Sequence, residues 1–228
     1  VVVTFHGLGR ILLERFGTRI GVPRYFAIFD RDDSERAVKE ALKAPDVAPK
    51  EVPPRAILAR IGKAKGEGET ASAFRAKHAH ESFRSRITAE VWLRYDEALK
   101  REKSLDFDDL IALPARLLRD HADIREEAEK LFSYIHVDEF QDTNALQAEL
   151  ASMLASTHKN IFVVGDIDQC IYTWRGATIE NLLSFEDSYP GAQQIVLAHN
   201  YRSTKTIVEA ANKIIEKSPI KETHEALA

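Results

Sequence analysis

Apolar positions fall into two kinds of run along this chain. From about residue 7 to 132 they recur at helical spacing: Leu8, Ile11, Leu12 and Phe16 begin an amphipathic segment, and Asp32, Asp33 and Ser34 are placed to cap a helix over residues 35–42. Pro45, Pro49, Pro53 and Pro54 impose a loop with a fresh helix start near Arg55. The Gly62 to Gly68 stretch predicts a flexible basic turn. Two more helices are expected, over residues 82–101 and 108–119, the second interrupted or bent at Pro114.

Short apolar runs that end on acidic residues follow. One leads from Ile135 into Asp138 and Glu139; another leads from Ile161 through Val164 into Gly165 and Asp166. They predict strands over 137–139 and 161–166. Residues 145–154 between them have helical spacing, with Asp142, Thr143 and Asn144 as candidate N-caps. Strand, helix, strand is a βαβ unit, so both acidic strand ends should lie on one edge of a parallel sheet. Val1–Val3 reads as a further strand, and residues 194–197 and 204–215 read as a strand and its helix.

The sheet edge is where the chemistry would sit, because open α/β sheets bind ligands beyond the carboxyl ends of their strands. Asp138 and Glu139 then have the layout of a Walker-B site. Asp138 is placed to hold Mg²⁺ on nucleotide phosphates, and Glu139 to orient or deprotonate the attacking water. The alternative is a solvated strand end. Gln169, after the second run, has an amide that can donate to an anion or position a water. Tyr172, Trp174 and Arg175 form an aromatic and cationic cluster suited to stacking on bases without a sequence code; the alternative is core aromatics on one face of a strand. Taken singly, Arg202 reads as a surface arginine and His6 as a capping or structural histidine.

Three segments, Asp138-Glu139-Phe140-Gln141-Asp142-Thr143-Asn144, Gly165-Asp166-Ile167-Asp168-Gln169-Cys170-Ile171-Tyr172-Thr173-Trp174-Arg175-Gly176-Ala177 and Asn200-Tyr201-Arg202-Ser203-Thr204, resemble successive motifs of the UvrD/Rep/PcrA-type superfamily 1 DNA helicases in order and spacing. Thr4-Phe5-His6-Gly7 is similar to the DNA-contacting motif before that family's inserted helical subdomain, and Leu105 to Leu110 to the segment leading back out. The resemblance implies Asp138 as Mg²⁺ ligand, Glu139 as catalytic carboxylate, Gln169 as γ-phosphate sensor, Tyr201 stacked on adenine, and Arg202 reaching the γ-phosphate. It also implies Thr4, Phe5, His6, Tyr172, Trp174 and Arg175 as DNA contacts.

The implied fold is α/β: a partial RecA-like parallel sheet of the P-loop NTPase type with a large helical insertion and the start of a second RecA-like domain. Residues 1–6 and 133–198 would form the partial first motor domain, 7–132 the inserted subdomain, and 199–228 the opening of the second. The implied activity is ATP-dependent 3′-to-5′ translocation on single-stranded DNA and unwinding at single-strand/duplex junctions, with ATP and Mg²⁺ as cofactors. Two alternatives are a non-catalytic DNA- or partner-binding remnant and the helicase part of a recombination helicase-nuclease.

A net charge of −4 gives no global basic signature. Locally, residues 50–103 carry 13 Lys/Arg against 8 Asp/Glu, while 104–150 carry 4 against 12, so the first stretch is suited to a basic face for nucleic-acid phosphate; the alternative is a mixed solvated helical surface. The single cysteine, Cys170, excludes an intrachain disulfide. With no signal-peptide pattern, no apolar run of membrane-spanning length and no zinc spacing, a cytoplasmic location without a membrane partner is expected. No Gly-x-x-x-x-Gly-Lys-Ser/Thr loop occurs, since Gly62-Lys63 is followed by Ala64. The chain is therefore expected to be a middle portion of a longer helicase and to hydrolyse ATP negligibly alone.

Overall fold

The structure is a computed structural model that describes residues 1–44 and 52–216 of the 228. Pro45 and Pro49 of the expected loop lie outside the described residues. The chain is mixed α/β and mainly helical, and it divides into two compact units, one of Val1–Ile135 with Asn144–Phe162, the other of His136–Thr143 with the described chain from Val163 on.

In the first unit α1 (Phe5–Phe16) starts at Thr4, whose Oγ1 accepts the Gly7 N–H at 3.1 Å. Thr4, not His6, is thus the cap. Val1–Val3 is not a strand: it pairs with nothing among the described residues, and Val1 and Val2 are fully exposed. A short strand, β1 (Ala27–Ile28), precedes α2 (Arg31–Ala41). That helix is capped by Asp30 through the Asp33 N–H at 2.8 Å, which corrects the expected start by one turn and leaves Asp32 and Asp33 on the first-turn dipole.

Pro53 and Pro54 open α3 (Pro54–Gly66), as fixed φ at the first helical position favours. The expected basic turn at 62–68 is mostly the end of this helix. Ile57, Ile61, Ala64 and Lys65 share its buried face, and that burial overrides the two glycines that suggested a break. Next come α4 (Ala71–Lys77) and α5 (Phe83–Arg101), capped by Thr70 and Ser82. Trp92, Tyr95, Phe74, Ile57 and Val38 join α2, α3, α4 and α5 in the largest apolar core.

Strand β2 (Ser104–Leu105) runs parallel to β1, with Ala27 opposite Ser104 and Ile28 opposite Leu105. This small sheet has no counterpart in the sequence expectations. After it, α6 (Asp109–Asp120) passes through Pro114 without interruption. Pro114 has no N–H, so the Leu110 carbonyl lacks its in-helix donor. Gly9 of α1 sits against that same carbonyl: a Cβ at Gly9 would lie 1.7 Å from the Leu110 oxygen. Two helix backbones touch here because one residue has no side chain.

Helix α7 (Ala122–Leu131) leads to β3 (Ile135–Val137). Asn144 caps α8 (Ala145–Leu154) in a reciprocal box with Gln147. Leu12, Leu117, Leu118, Leu150 and Leu154 fill a second core. Glu129 closes the turn after α8 by accepting from Ser156 Oγ and from the Thr157 N–H and Oγ1, all at 2.7–2.8 Å.

β3 pairs with β4 (Ile161–Val163). The Ile135 N–H donates to Asn160 O and the Val164 N–H to Val137 O, so the strands run in one direction, as a βαβ unit requires. β3 lies two residues before the expected 137–139 and β4 is shorter than the expected 161–166; each stops where an acidic or glycine turn takes over. In the second unit, short helices α9 (Glu180–Leu183) and α10 (Phe185–Ser188) precede α11 (Lys205–Ile215). The strand expected at 194–197 is absent: Ile195, Val196 and Leu197 are 73–83% exposed and have no ladder partner among the described residues.

Candidate functional site

The strand ends at Val137 and Val163 turn abruptly. Asp138 follows β3, and its Oδ1 accepts the Glu139 N–H at 3.0 Å. Glu139 itself has φ 51° and ψ 47°, the left-handed region that costs a non-glycine residue about 1 kcal/mol or more. Both carboxylates are exposed.

Behind them Gln141 is almost fully buried and joins the two strand ends. Its Nε2 donates to Glu139 Oε2 at 2.7 Å, and its Oε1 accepts the Asp166 N–H at 3.1 Å. Asp166 in turn holds Gln169, whose Nε2 donates to Asp166 Oδ2 at 2.6 Å, while Asp166 Oδ1 accepts the Asp168 N–H at 2.9 Å. A continuous relay, Glu139–Gln141–Asp166–Gln169, therefore lies within one unit. Gly165 makes room for it, because a Cβ there would come within 2.9 Å of Gln141 Oε1. Sequence reasoning passed over Gln141, since a glutamine two residues past an acidic pair looks like any polar turn residue until its burial is seen.

The turn carrying Asp138 and Glu139 is anchored by its own neighbours. Thr143 Oγ1 donates to Phe140 O at 2.6 Å, and Thr143 O accepts from the Thr178 N–H at 3.1 Å and from Asn181 Nδ2 at 3.0 Å. Phe140 is buried edge-on to Phe185, with ring centroids 5.9 Å apart. Burial, and then the Glu139 charge, raise the Asp142 carboxyl above the ordinary range. Burial, then Asp142 and Glu180, raise the Cys170 thiol, so this cysteine stays protonated and unreactive at neutral pH.

Asp138 fits a phosphate-bound Mg²⁺. One oxygen is fixed by the backbone, the residue is exposed, and such an ion needs only one or two protein carboxylates when phosphates and water complete its octahedron. No cluster of three or more protein ligands occurs among the described residues, which is the pattern of a dedicated all-protein site.

Tyr172 precedes and Trp174 lies within a 3₁₀ turn, not a strand, with ring centroids 6.4 Å apart at 52°. Trp174 is 73% exposed and Tyr172 half-buried, so they are not core aromatics. The side chain of Arg175 lies outside the described residues. Asn200 Oδ1 accepts the Arg202 and Ser203 N–H groups at 3.0 and 2.8 Å, which shapes the turn before α11. Tyr201 stacks on His199 at 6.2 Å and is exposed, as is Arg202.

In the first unit, Thr4 is committed to its cap, and the Phe5 ring packs on the second core. His6 is half-buried, and burial lowers its pKa, so it is neutral at pH 7.

Residues 1–190 match the family described as UvrD/REP helicase N-terminal domain. The chain is similar to the ATP-dependent DNA helicase PcrA of Staphylococcus aureus (strain Mu50 / ATCC 700699), with 43% identity over 215 residues, 94% of this chain and 29% of that protein. It is equally similar to the protein of the same name from Staphylococcus epidermidis (strain ATCC 12228 / FDA PCI 1200), with 43% identity over 213 residues, 93% of this chain and 29% of the relative. It thus spans less than a third of the length of these curated relatives.

Proposed function

Because the chain belongs to the UvrD/REP helicase family, we propose that it forms part of an ATP-driven DNA translocase that moves 3′ to 5′ on single strands and opens duplex at junctions. Residues 1–6 and 133–198 belong to its first RecA-like motor domain, 7–132 to an inserted subdomain and 199–228 to the second motor domain. The observation that carries this reading is the Glu139–Gln141–Asp166–Gln169 relay, which makes the two strand ends one responsive element.

In this mechanism Asp138 would hold Mg²⁺ on the phosphates of ATP, where the ion would supply charge neutralisation when bound. Glu139 orients the attacking water and takes its proton. Gln169 contacts the γ-phosphate through its amide, and Arg202 offers a guanidinium to the same group, where charge grows in the transition state. Tyr201 supplies a ring for adenine. Tyr172, Trp174 and Arg175 follow Gln169 directly, so a shift of Gln169 on hydrolysis is passed to a base-stacking platform. Thr4, Phe5 and His6 form a second contact zone. The working location is the cytoplasm; no described helix is long and apolar enough to cross a membrane.

The test is a chimera in which this chain replaces the matching segment of S. aureus PcrA. It should hydrolyse ATP with stimulation by single-stranded DNA, and Glu139→Gln should lower kcat by about 100-fold or more while DNA binding persists. A folded chimera whose turnover ignores DNA, or survives Glu139→Gln, would refute the assignment. The 228-residue chain alone should show no turnover, since the backbone N–H cradle of a phosphate loop is not among its motifs.

A further inference from the structure

One stripe of α5 lines a groove at the edge of the largest apolar core. Arg86, Ala89, Glu90, Leu93, Arg94 and Glu97 recur on it at intervals of three and four residues, so they share one face over about 16 Å of helix. The opposite wall is α4 with the turn that ends it, and the groove between them has a volume of 610 Å³. Alanines make the room, Ala79 on one wall and Ala89 on the other. Leu93 stands between the charged ends, half-buried, with its side chain packed on the rim of the core.

Charge is distributed unevenly along this groove. Arg75 lies one turn before the α4–α5 connection and Arg86 in the first turn after it. Both are exposed, and their guanidinium groups have no ion-pair or hydrogen-bond partner among the described residues. Neighbouring cations are engaged: Lys77 pairs with Glu69, Arg94 pairs with Glu90 at 2.8 Å, and Arg60 lies over the Phe74 ring while donating to Ser85 Oγ. His78 is occupied too, with Nδ1 2.7 Å from Glu81 Oε2 and its ring 4.1 Å from that of Phe74. At the far end of the stripe Glu97 is exposed and has no cation paired to it among the described residues.

Two guanidiniums that line one groove with no carboxylate between them are poised for an incoming acid, which each can hold through a planar pair of N–H donors. A nucleic-acid backbone fits the whole stripe poorly, because its phosphates would meet Glu90 and Glu97 and would set a charged chain against Leu93. A helix with carboxylates at one end and an apolar middle matches it along its length, since side chains at i, i+3, i+4 and i+7 are what a helix lays into a groove.

We propose that the α4–α5 groove docks an amphipathic helix of a partner protein, its acidic end on Arg75 and Arg86, its apolar middle on Leu93 and its basic end by Glu97. The site uses none of the residues assigned above to nucleotide or DNA, and it stands or falls without them.

Two labelled synthetic helices of about four turns test this by fluorescence anisotropy on the 228-residue chain. The first carries glutamates in its opening turns, leucines along the middle of one face and lysines at its end; the second has lysine in place of every glutamate. The parent should bind the first helix at least about tenfold more tightly than the second. Arg75→Glu combined with Arg86→Glu should reverse that order while the far-ultraviolet circular dichroism stays the same, because both side chains are exposed. Reversal by charge is a result that a merely structural role for the two arginines would not produce. No binding of the first helix to the parent, or binding that the double variant leaves unchanged, overturns the proposal. So does a DNA duplex that outcompetes the first helix on the parent and loses its hold in the double variant, which would mark this face as a nucleic-acid surface.

Discussion

The two compact units are held by different forces. In the first, the buried apolar clusters lie mainly between helices, one of them also taking in Leu105 of β2, and even its charges are interior: Lys65, Asp106 and Asp109 are nearly inaccessible to water. In the second, Val137, Phe140, Cys170 and Ala177 are the buried apolar residues among those described, and short 3₁₀ turns are fixed by side-chain hydrogen bonds. Apolar packing gives a rigid frame because it is dense and undirected; hydrogen-bonded turns give direction to exposed groups and can rearrange by exchanging partners. Stability concentrates in one unit and the proposed nucleotide chemistry in the other.

The largest effect should come from breaking the interior charge cluster. Burial disfavours the Lys65 charge, yet Asp109, Asp106 and Asp96 together raise its pKa. Lys65→Ala leaves two buried carboxylates without their cation and should cost roughly 3–5 kcal/mol in urea unfolding. The same change in an Asp106→Asn, Asp109→Asn background should cost distinctly less; equal costs would show that the cluster does not act as a unit. Gly9→Ala comes next, at about 2–3 kcal/mol, because α1 and α6 must separate to admit the methyl group; a neutral result would mean that their backbones are not in contact in solution.

A smaller effect tests the second unit. Gln141→Ala removes both ends of the relay and should cost about 1–2 kcal/mol locally. In the chimera it should lower DNA-stimulated turnover while the urea midpoint of the helical unit stays put. A matching fall in that midpoint would erase the contrast between the units. The subtlest readout is pH. Burial, only partly offset by Lys65, pushes Asp109 up to about 7, with Asp106 adding to the rise. A raised carboxyl pKa favours the folded state below the unfolded value near 4, and this contribution fades as pH rises through about 7. Asp109→Asn should therefore flatten the decline in helical-unit stability between about pH 4 and 7; an unaltered slope would place that titration elsewhere.

What was legible in the sequence follows the range of the interactions involved. The α5 and α8 helices and their N-cap zones were readable because caps and apolar spacing are local, and the two acidic strand ends were readable because each run stops on its own chemistry. Lys65 was misread: in a Gly-Lys-Ala-Lys-Gly string it looks solvated, and only carboxylates some forty residues further along the chain make its burial tolerable. Residues 194–197 have the composition of a strand, but a strand exists only with a partner, and none occurs among the described residues. Gln141 escaped for the same reason: it is significant for being buried, and burial is not written in residue type.

The backbone of Glu139 has a practical corollary for protein engineering. Glycine or asparagine would occupy that left-handed position more comfortably, so enrichment for thermal robustness alone should drift toward them at the very site assigned to water activation. Libraries built on this segment would do better to hold position 139 fixed and let the helical frame absorb the stabilising changes.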